Sequence, residues 1–242
     1  MANFYIDKSD ITENTAVITG EEAQHISRVL RMKKGDEVTL CDGEGFFYEA
    51  VLADFSDKSV TANILSTRKA ETEPNVQITI FQGVPKNPKL ETIIQKATEI
   101  GVVRIVPMET VRAVAKLDKP SKVDRLRKIA REAAKQSKRG IIPSVTDCVS
   151  FREAVKMAAE ADLALIPYEE ERETSLKKAL TGKAPKTVSV MIGPEGGFDA
   201  EEIKRAKELG LTSVTLGKRI LRTETAPLAV SAAILYELGE MQ

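Results

Sequence analysis

From residue 76 onward the chain alternates short apolar runs with amphipathic stretches, and this alternation restricts the fold more than any other feature. Val76–Gln82 (VQITIFQ), Val102–Val106, Ala161–Ile166 (ADLALI), Thr187–Ile192 (TVSVMI) and Ser213–Leu216 are compact and apolar. Runs of this length and composition read as strands buried on both faces. Between them, Pro88–Ile100, Pro120–Lys138, Phe151–Ala159, Leu176–Leu180, Asp199–Leu209 and Ala226–Leu238 read as helices. In the first of these, Leu90, Ile93, Ile94 and Ala97 fall on one face. Asp199 is placed to cap its helix, with Glu202 at the capping-box position. Strands and helices in alternation predict an α/β fold, with a mostly parallel sheet covered on both faces.

The first 70 residues follow another pattern. Asn3–Ile6, Ala16–Ile18, Glu37–Cys41, Phe46–Ala53 and Ser59–Leu65 are short runs rich in aromatic or β-branched residues, with a turn at Asp42-Gly43-Glu44-Gly45. One helix, Glu21–Leu30, interrupts them, its Ala23, Ile26, Val29 and Leu30 in helical register. This predicts a small β-barrel-like domain. The polar segment Arg68–Asn75 contains Pro74 and reads as a linker, so the expected domains are 1–72 and 73–242.

Composition removes several function classes. The cysteines, Cys41 and Cys148, lie far apart without a C-x-x-C partner, which gives no disulfide framework or zinc site and fits a reducing cytoplasm. With His25 the one histidine, no metal site is expected. The start, MANFYIDKSD, carries no secretory signal pattern, and no apolar run is long enough to cross a bilayer, so no membrane partner is expected. Lysine plus arginine and aspartate plus glutamate each number 36, a formal net charge of zero. The distribution is uneven. Residues 119–139 (KPSKVDRLRKIAREAAKQSKR) hold nine basic residues against two acidic ones. A local stripe matters more to phosphates than the global sum, although a solvated helix face also accounts for the run.

Three strand ends carry the candidate chemistry, because open parallel sheets bind ligands at the carboxyl edge of their strands. After Thr187–Ile192 comes Ile192-Gly193-Pro194-Glu195-Gly196-Gly197-Phe198. Its glycines allow a ligand close to the backbone, and Glu195 disfavours a phosphate but tolerates a cation. No phosphate-loop or dinucleotide glycine signature is present. After Ser213–Leu216 comes Leu216-Gly217-Lys218-Arg219-Ile220-Leu221-Arg222-Thr223-Glu224-Thr225-Ala226-Pro227, with Thr225 a candidate cap and Pro227 in the first helical turn. The plain alternative for each is a βα turn with Leu216, Ile220 and Leu221 in the core. The third is Ile166-Pro167-Tyr168-Glu169. Two basic segments complete the set. Arg131, Lys135, Lys138 and Arg139 stand three or four apart and are expected to share a helix face suited to phosphates. Arg28, Arg31 and Lys33 in His25–Lys33 are the second group. His25 lies in the small domain, away from the strand ends, and is not taken as a catalytic base.

These segments, with Gln82-Gly83-Val84-Pro85-Lys86, Lys96-Ala97-Thr98-Glu99-Ile100-Gly101 and Glu132–Arg139, resemble the RsmE family of 16S ribosomal RNA uridine-N3 methyltransferases, within the SPOUT superfamily. The resemblance spans nearly the whole chain. It implies a PUA-like RNA-binding barrel followed by a methyltransferase domain with a deep C-terminal trefoil knot, and a homodimer. It further implies S-adenosylmethionine as cofactor, with Ile166, Pro167, Ile192, Gly193, Pro194, Glu195, Gly196, Gly197, Leu216, Gly217, Ile220, Leu221, Arg222, Thr225 and Ala226 around it. Arg222 and Glu195 are the expected catalytic residues. Arg28, Arg31, Lys33, Arg131, Lys135, Lys138 and Arg139 are expected on 16S ribosomal RNA or the small ribosomal subunit, and DNA is not an expected partner. A methyltransferase for transfer RNA, a non-catalytic RNA-binding assembly factor and a nucleotide-phosphate enzyme are the alternatives.

Overall fold

A computed structural model describes residues 2–241. The chain forms two compact units, Met1–Glu73 with Ala134–Ile142, and Pro74–Ala133 with Pro143–Gln242. Residues 134–142, read from the sequence as part of the second domain, group with the first unit. The cause is local. Arg139 Nη2 meets Glu73 Oε2 at 2.5 Å, the Tyr5 hydroxyl donates to Ala134 O at 3.2 Å, and the Gly45 N–H donates to Gly140 O at 3.0 Å.

The first unit is a five-stranded sheet. Its elements are β1 (Ala2–Tyr5), β2 (Thr15–Thr19), α1 (Gly20–Gln24), β3 (Glu37–Cys41), β4 (Phe46–Phe55) and β5 (Ser59–Lys69). The strand order is β1-β3-β4-β5-β2, with β1 and β3 parallel and the other pairs antiparallel. β2 alternates exposed and buried residues, as a strand with one wet face should. Register shifts between Glu49 and Ala50 and between Leu52 and Asp54 bend the long β4–β5 pair over a core of Phe4, Ile18, Ile26, Leu40, Leu52 and Val60. The helix expected over Glu21–Leu30 is shorter than its pattern. α1 gives way to a π-helical turn at His25–Val29, and Arg31 adopts a φ of 52°.

The second unit holds β6 (Gln77–Gly83), α2 (Lys89–Ile100), β7 (Arg104–Glu109), α3 (Pro120–Gln136), β8 (Ser144–Val145), β9 (Val149–Ser150), α4 (Phe151–Ala158), β10 (Leu163–Pro167), α5 (Leu176–Leu180), β11 (Thr187–Ile192), α6 (Ala200–Glu208), β12 (Thr212–Val214) and α7 (Ala226–Glu237). The last three residues of α3 fall in the first unit. Strand order is β12-β10-β11-β6-β7-β8, with β9 also on β7, and every pair is parallel. This is the α/β sheet that the alternation predicts. One buried layer, including Ile78, Ile94, Leu165 and Ile234, lies apart from a second that includes Phe81, Met108, Ile166 and Ile203, as expected for a sheet covered on both faces. The chain leaves β6 toward β7 on one side and returns to β10, β11 and β12 on the other. The reversal falls between β6 and β11, where open parallel sheets bind their ligands.

Candidate active site

At that reversal the ends of β6 and β11 run side by side, Gln82 paired with Ile192. Gly83 follows, and the chain after β11 passes so close that an added Cβ on Gly83 would lie 2.7 Å from Pro194 Cδ. Gln82 is fully buried. Its Nε2 donates to Gly83 O at 2.9 Å and to Thr223 Oγ1 at 3.0 Å. The Thr223 hydroxyl in turn donates to Gly193 O at 2.8 Å. A glutamine at the sheet's switch point thus ties the Ile192–Phe198 loop to the segment before α7.

The Ile192–Phe198 loop is shaped by its glycines. A Cβ on Gly193 would come within 3.0 Å of Gly197, and Gly197 itself has a φ of 67°. The loop ends in Asp199, which caps α6 with Glu202 returning a hydrogen bond, the capping box that the sequence predicts. Arg112 braces the outside, donating to Gly196 O at 3.1 Å and lying 3.5 Å from Asp199.

These loops line a cavity of about 700 Å3. Of the residues named for the cofactor, Pro167, Ile192, Gly193, Pro194, Glu195, Gly196, Gly197, Leu216, Gly217, Ile220, Leu221, Arg222 and Ala226 all line it. Two do not. Ile166 is fully buried in the core layer of Phe81 and Met108. Thr225 sits at the N-cap position of α7, but its helical backbone angles leave its side chain without a capping hydrogen bond. Pro227 is in the first turn of α7, where its missing N–H costs nothing.

The cavity wall also includes Tyr168, Glu169 and Thr223 from the candidate loops, and Lys89, Glu170, Arg172 and Thr215, which the sequence does not assign to it. Lys89 was legible in principle. A cation in the first turn of α2 opposes the helix macrodipole and needs a compensating partner. It finds two, Glu195 at 3.1 Å and Glu224 at 3.2 Å, one from each loop. Glu195 also accepts the Lys86 N–H at 3.1 Å. Burial pushes the Glu195 carboxyl up, but its own backbone N–H, Lys89 and the Lys86 N–H outweigh it and hold the group below its ordinary value. Glu224 is lowered by its own backbone N–H and then by Lys89. Hydrogen bonding to Glu195 leads in raising Lys89. Both carboxylates are therefore ionised at neutral pH, beside an ammonium.

The basic residues are placed differently from one another. Arg28, Arg31, Lys33 and Lys138 are exposed, and Arg131 is partly buried. Lys135 is held by Glu22 at 2.6 Å. Arg139 is 3% exposed, and it does not share a face with Arg131 and Lys135. α3 stops at Gln136, Lys138 turns left-handed at a φ of 57°, and the Arg139 N–H closes on Ala134 O at 2.9 Å. The chain therefore turns Arg139 inward onto Glu73, where it holds the fold and presents no charge to a phosphate.

Comparison with known proteins places this architecture. Residues 72–235 match the model of an RNA methyltransferase domain, and residues 18–65 match that of an RNA methyltransferase PUA domain. The chain is 38% identical to the ribosomal RNA small subunit methyltransferase E of Bacillus subtilis, with 98% of this chain and 97% of that protein covered. The protein of the same name from Synechocystis is 34% identical, with 93% and 74% covered. A crystal structure of a ribosomal RNA small subunit methyltransferase E from Neisseria gonorrhoeae, bound to S-adenosyl methionine, superimposes with a TM-score of 0.84 at 31% identity, covering 98% of this chain and 97% of that one. The chain belongs to the RNA methyltransferase family that contains these ribosomal RNA small subunit methyltransferases E.

Proposed function

We propose that this protein uses S-adenosylmethionine to methylate N3 of a uridine in 16S ribosomal RNA. The observation that carries the reading is the cavity at the β6/β11 switch point, walled by the two glycine-bearing loops and by the ionised Glu195 carboxylate that Lys89 holds in place. Its residues fit the cofactor. The volume is that of a small-molecule site, within about 300–1,000 Å3. Gly193, Gly196 and Gly197 leave backbone exposed to a ligand, and Glu169, Glu170 and Glu195 suit a ligand bearing cationic groups. The backbone of Ile192, Gly193, Gly196, Leu216 and Leu221 would hold the adenosine portion.

When bound, S-adenosylmethionine supplies an electrophilic methyl group as a sulfonium. The protein must orient the acceptor and accommodate charge on it. N3 lies on the Watson–Crick edge, so the uridine is read unpaired or flipped out. Arg222, exposed on the cavity wall, would face O2 or O4 and stabilise the uracil anion as the N3 proton passes to solvent water. Positioning against N3 supplies much of the acceleration. Arg222→Ala is expected to lower kcat far more than it weakens cofactor binding, and unchanged turnover would exclude the role.

Arg28, Arg31, Lys33, Arg131, Lys135 and Lys138 are proposed to meet RNA phosphates, Lys135 after exchanging Glu22 for one. We also propose the deep C-terminal knot and the homodimer implied by family membership, and a cytoplasmic location. No helix among the described residues is long and apolar enough to cross a membrane. The dimer is supported by α7, which carries no charge from Ala226 to Tyr236 yet leaves Ala229, Ala233 and Tyr236 exposed. A helix apolar all round is normally covered on every side. Sedimentation equilibrium should give twice the chain mass, and Tyr236→Glu should shift it toward the monomer.

A further inference from the structure

The turn after α1 is built against local preference. His25–Val29 wind as a π-helical turn, the Leu30 N–H closes on His25 O at 2.9 Å, and Arg31 takes a φ of 52°. Single π turns are rare and gather at functional sites, and a left-handed backbone is disfavoured for any residue other than glycine. Such strain persists only where the surroundings fix it. Here Ile26 is fully buried, the His25 ring lies edge-on to Phe4 at 5.9 Å, the Met32 N–H donates to Ile26 O at 3.0 Å and the Lys33 N–H donates to Asp36 Oδ2 at 2.7 Å.

The result of this geometry is an exposed apolar pair. Val29 is 69% exposed and Leu30 44% exposed. Arg28, Arg31, Lys33 and Lys34 flank them, all four exposed and none in an ion pair among the described residues. Two apolar side chains ringed by four cations complement a polyanion whose interior is apolar. Nucleic acid has that arrangement, phosphates outside and base faces within. Apolar wedges between base steps, anchored by cations on the flanking phosphates, are an established way to hold an unstacked step.

We infer that Val29 and Leu30 form an apolar wedge that inserts at an opened base step of RNA, with Arg28, Arg31, Lys33 and Lys34 on the flanking phosphates. The inference rests on the RNA-binding reading given above and adds the kind of RNA structure this turn selects, an interrupted or opened helix in place of a continuous duplex.

The test uses the full chain and two RNA hairpins. One carries 2-aminopurine beside a single-nucleotide bulge, and the other is the fully paired counterpart. The wild-type protein should raise the 2-aminopurine fluorescence at the bulge, reporting unstacking. Val29→Ser with Leu30→Ser should abolish the rise and weaken binding to the bulged hairpin about tenfold. Binding to the paired hairpin and the salt dependence should stay unchanged, and so should the melting temperature, because both side chains are at the surface. Arg28→Ala should weaken both hairpins alike and lower the salt slope by about one. A double variant that keeps the fluorescence rise and the preference for the bulge would overturn the wedge. So would a variant that loses self-association and keeps RNA binding, which would make the pair a contact between copies of the chain. Methyl transfer to ribosomal RNA is scored separately. An unstacking protein without transfer would leave the wedge standing and remove the proposed reaction. Transfer without unstacking would do the reverse.

Discussion

Replacing Thr223 by valine keeps the shape of the side chain and removes one hydroxyl. That hydroxyl donates to Gly193 O at 2.8 Å and accepts from Gln82 Nε2 at 3.0 Å, among residues that are 6% (Thr223) and 0% (Gln82) exposed. Without it, the Gly193 carbonyl keeps only a marginal contact with Gln82 Nε2 at 3.5 Å, while Gln82 retains Gly83 O at 2.9 Å. A buried group left without its partner costs about 1–3 kcal/mol, so a part-buried carbonyl left with one weak contact and a buried amide left with one acceptor together cost about 2 kcal/mol. Expressed wholly in the cavity, this is roughly a 30-fold loss of affinity. Titration calorimetry with S-adenosylmethionine on wild type, Thr223→Val and Thr223→Ser measures it. The valine variant should bind roughly 30-fold more weakly, and the serine variant, which restores the hydroxyl, within about threefold of wild type. Thermal unfolding without cofactor supplies the control, at about 2–4 °C for each kcal/mol in a chain of this size. A valine variant with unchanged affinity and a lowered Tm would show that the bond supports the fold and not the pocket.

Three further outcomes follow from the same structure. Gly197→Ala must place a Cβ at a φ of 67°, 2.9 Å from Glu169 Oε1, so it should weaken cofactor binding by about tenfold, measured in the same titration. Arg139→Ala removes the cation from the half-buried Glu73 carboxylate, which keeps the Gly140 and Ile141 N–H groups, and should cost about 3 kcal/mol in urea unfolding, the low end for a broken buried pair; a loss below about 1 kcal/mol would return Arg139 to the surface role expected from spacing. The contribution of the Lys89 pairs has a defined pH window. Glu195 and Glu224 lie below their ordinary values, so their stabilisation is full above about pH 4.3 and fades as pH falls through the depressed values. Lys89 lies above its ordinary value, so its share is full below about pH 10.4 and fades as pH rises through the raised value. The difference in Tm between wild type and Lys89→Met should therefore be level across neutral pH and shrink at both extremes, and a step near pH 7 would contradict the assignment.

The sheet was legible because its strands are buried runs of five to seven residues, and length separates these from helices. β8 and β9 were not, since two residues carry no periodicity. Asp199 and Glu202 announced their capping box by spacing alone, whereas Thr225 has the right residue type at the right position with a backbone that points its hydroxyl elsewhere. Arg139 shows the limit of spacing on a helix. The left-handed turn at Lys138 ends α3 and reverses the direction of the next side chain, and nothing in a run of lysines and arginines encodes that. Loops after β10, β11 and β12 were assigned to one cavity from strand ends. The same rule applied to β6 points to Gln82 and Gly83, which brace the loop after β11, and the misplaced cation at the start of α2 points to Lys89 as the partner of Glu195 and Glu224.

Methyl transfer is read by incubating the protein with radiolabelled S-adenosylmethionine and small ribosomal subunits that lack the modification, then digesting the RNA and identifying the labelled nucleoside. Label is expected in N3-methyluridine and is lost in Arg222→Ala at saturating cofactor. Label in any other nucleoside, or none from a protein that binds the cofactor, would contradict the proposed reaction.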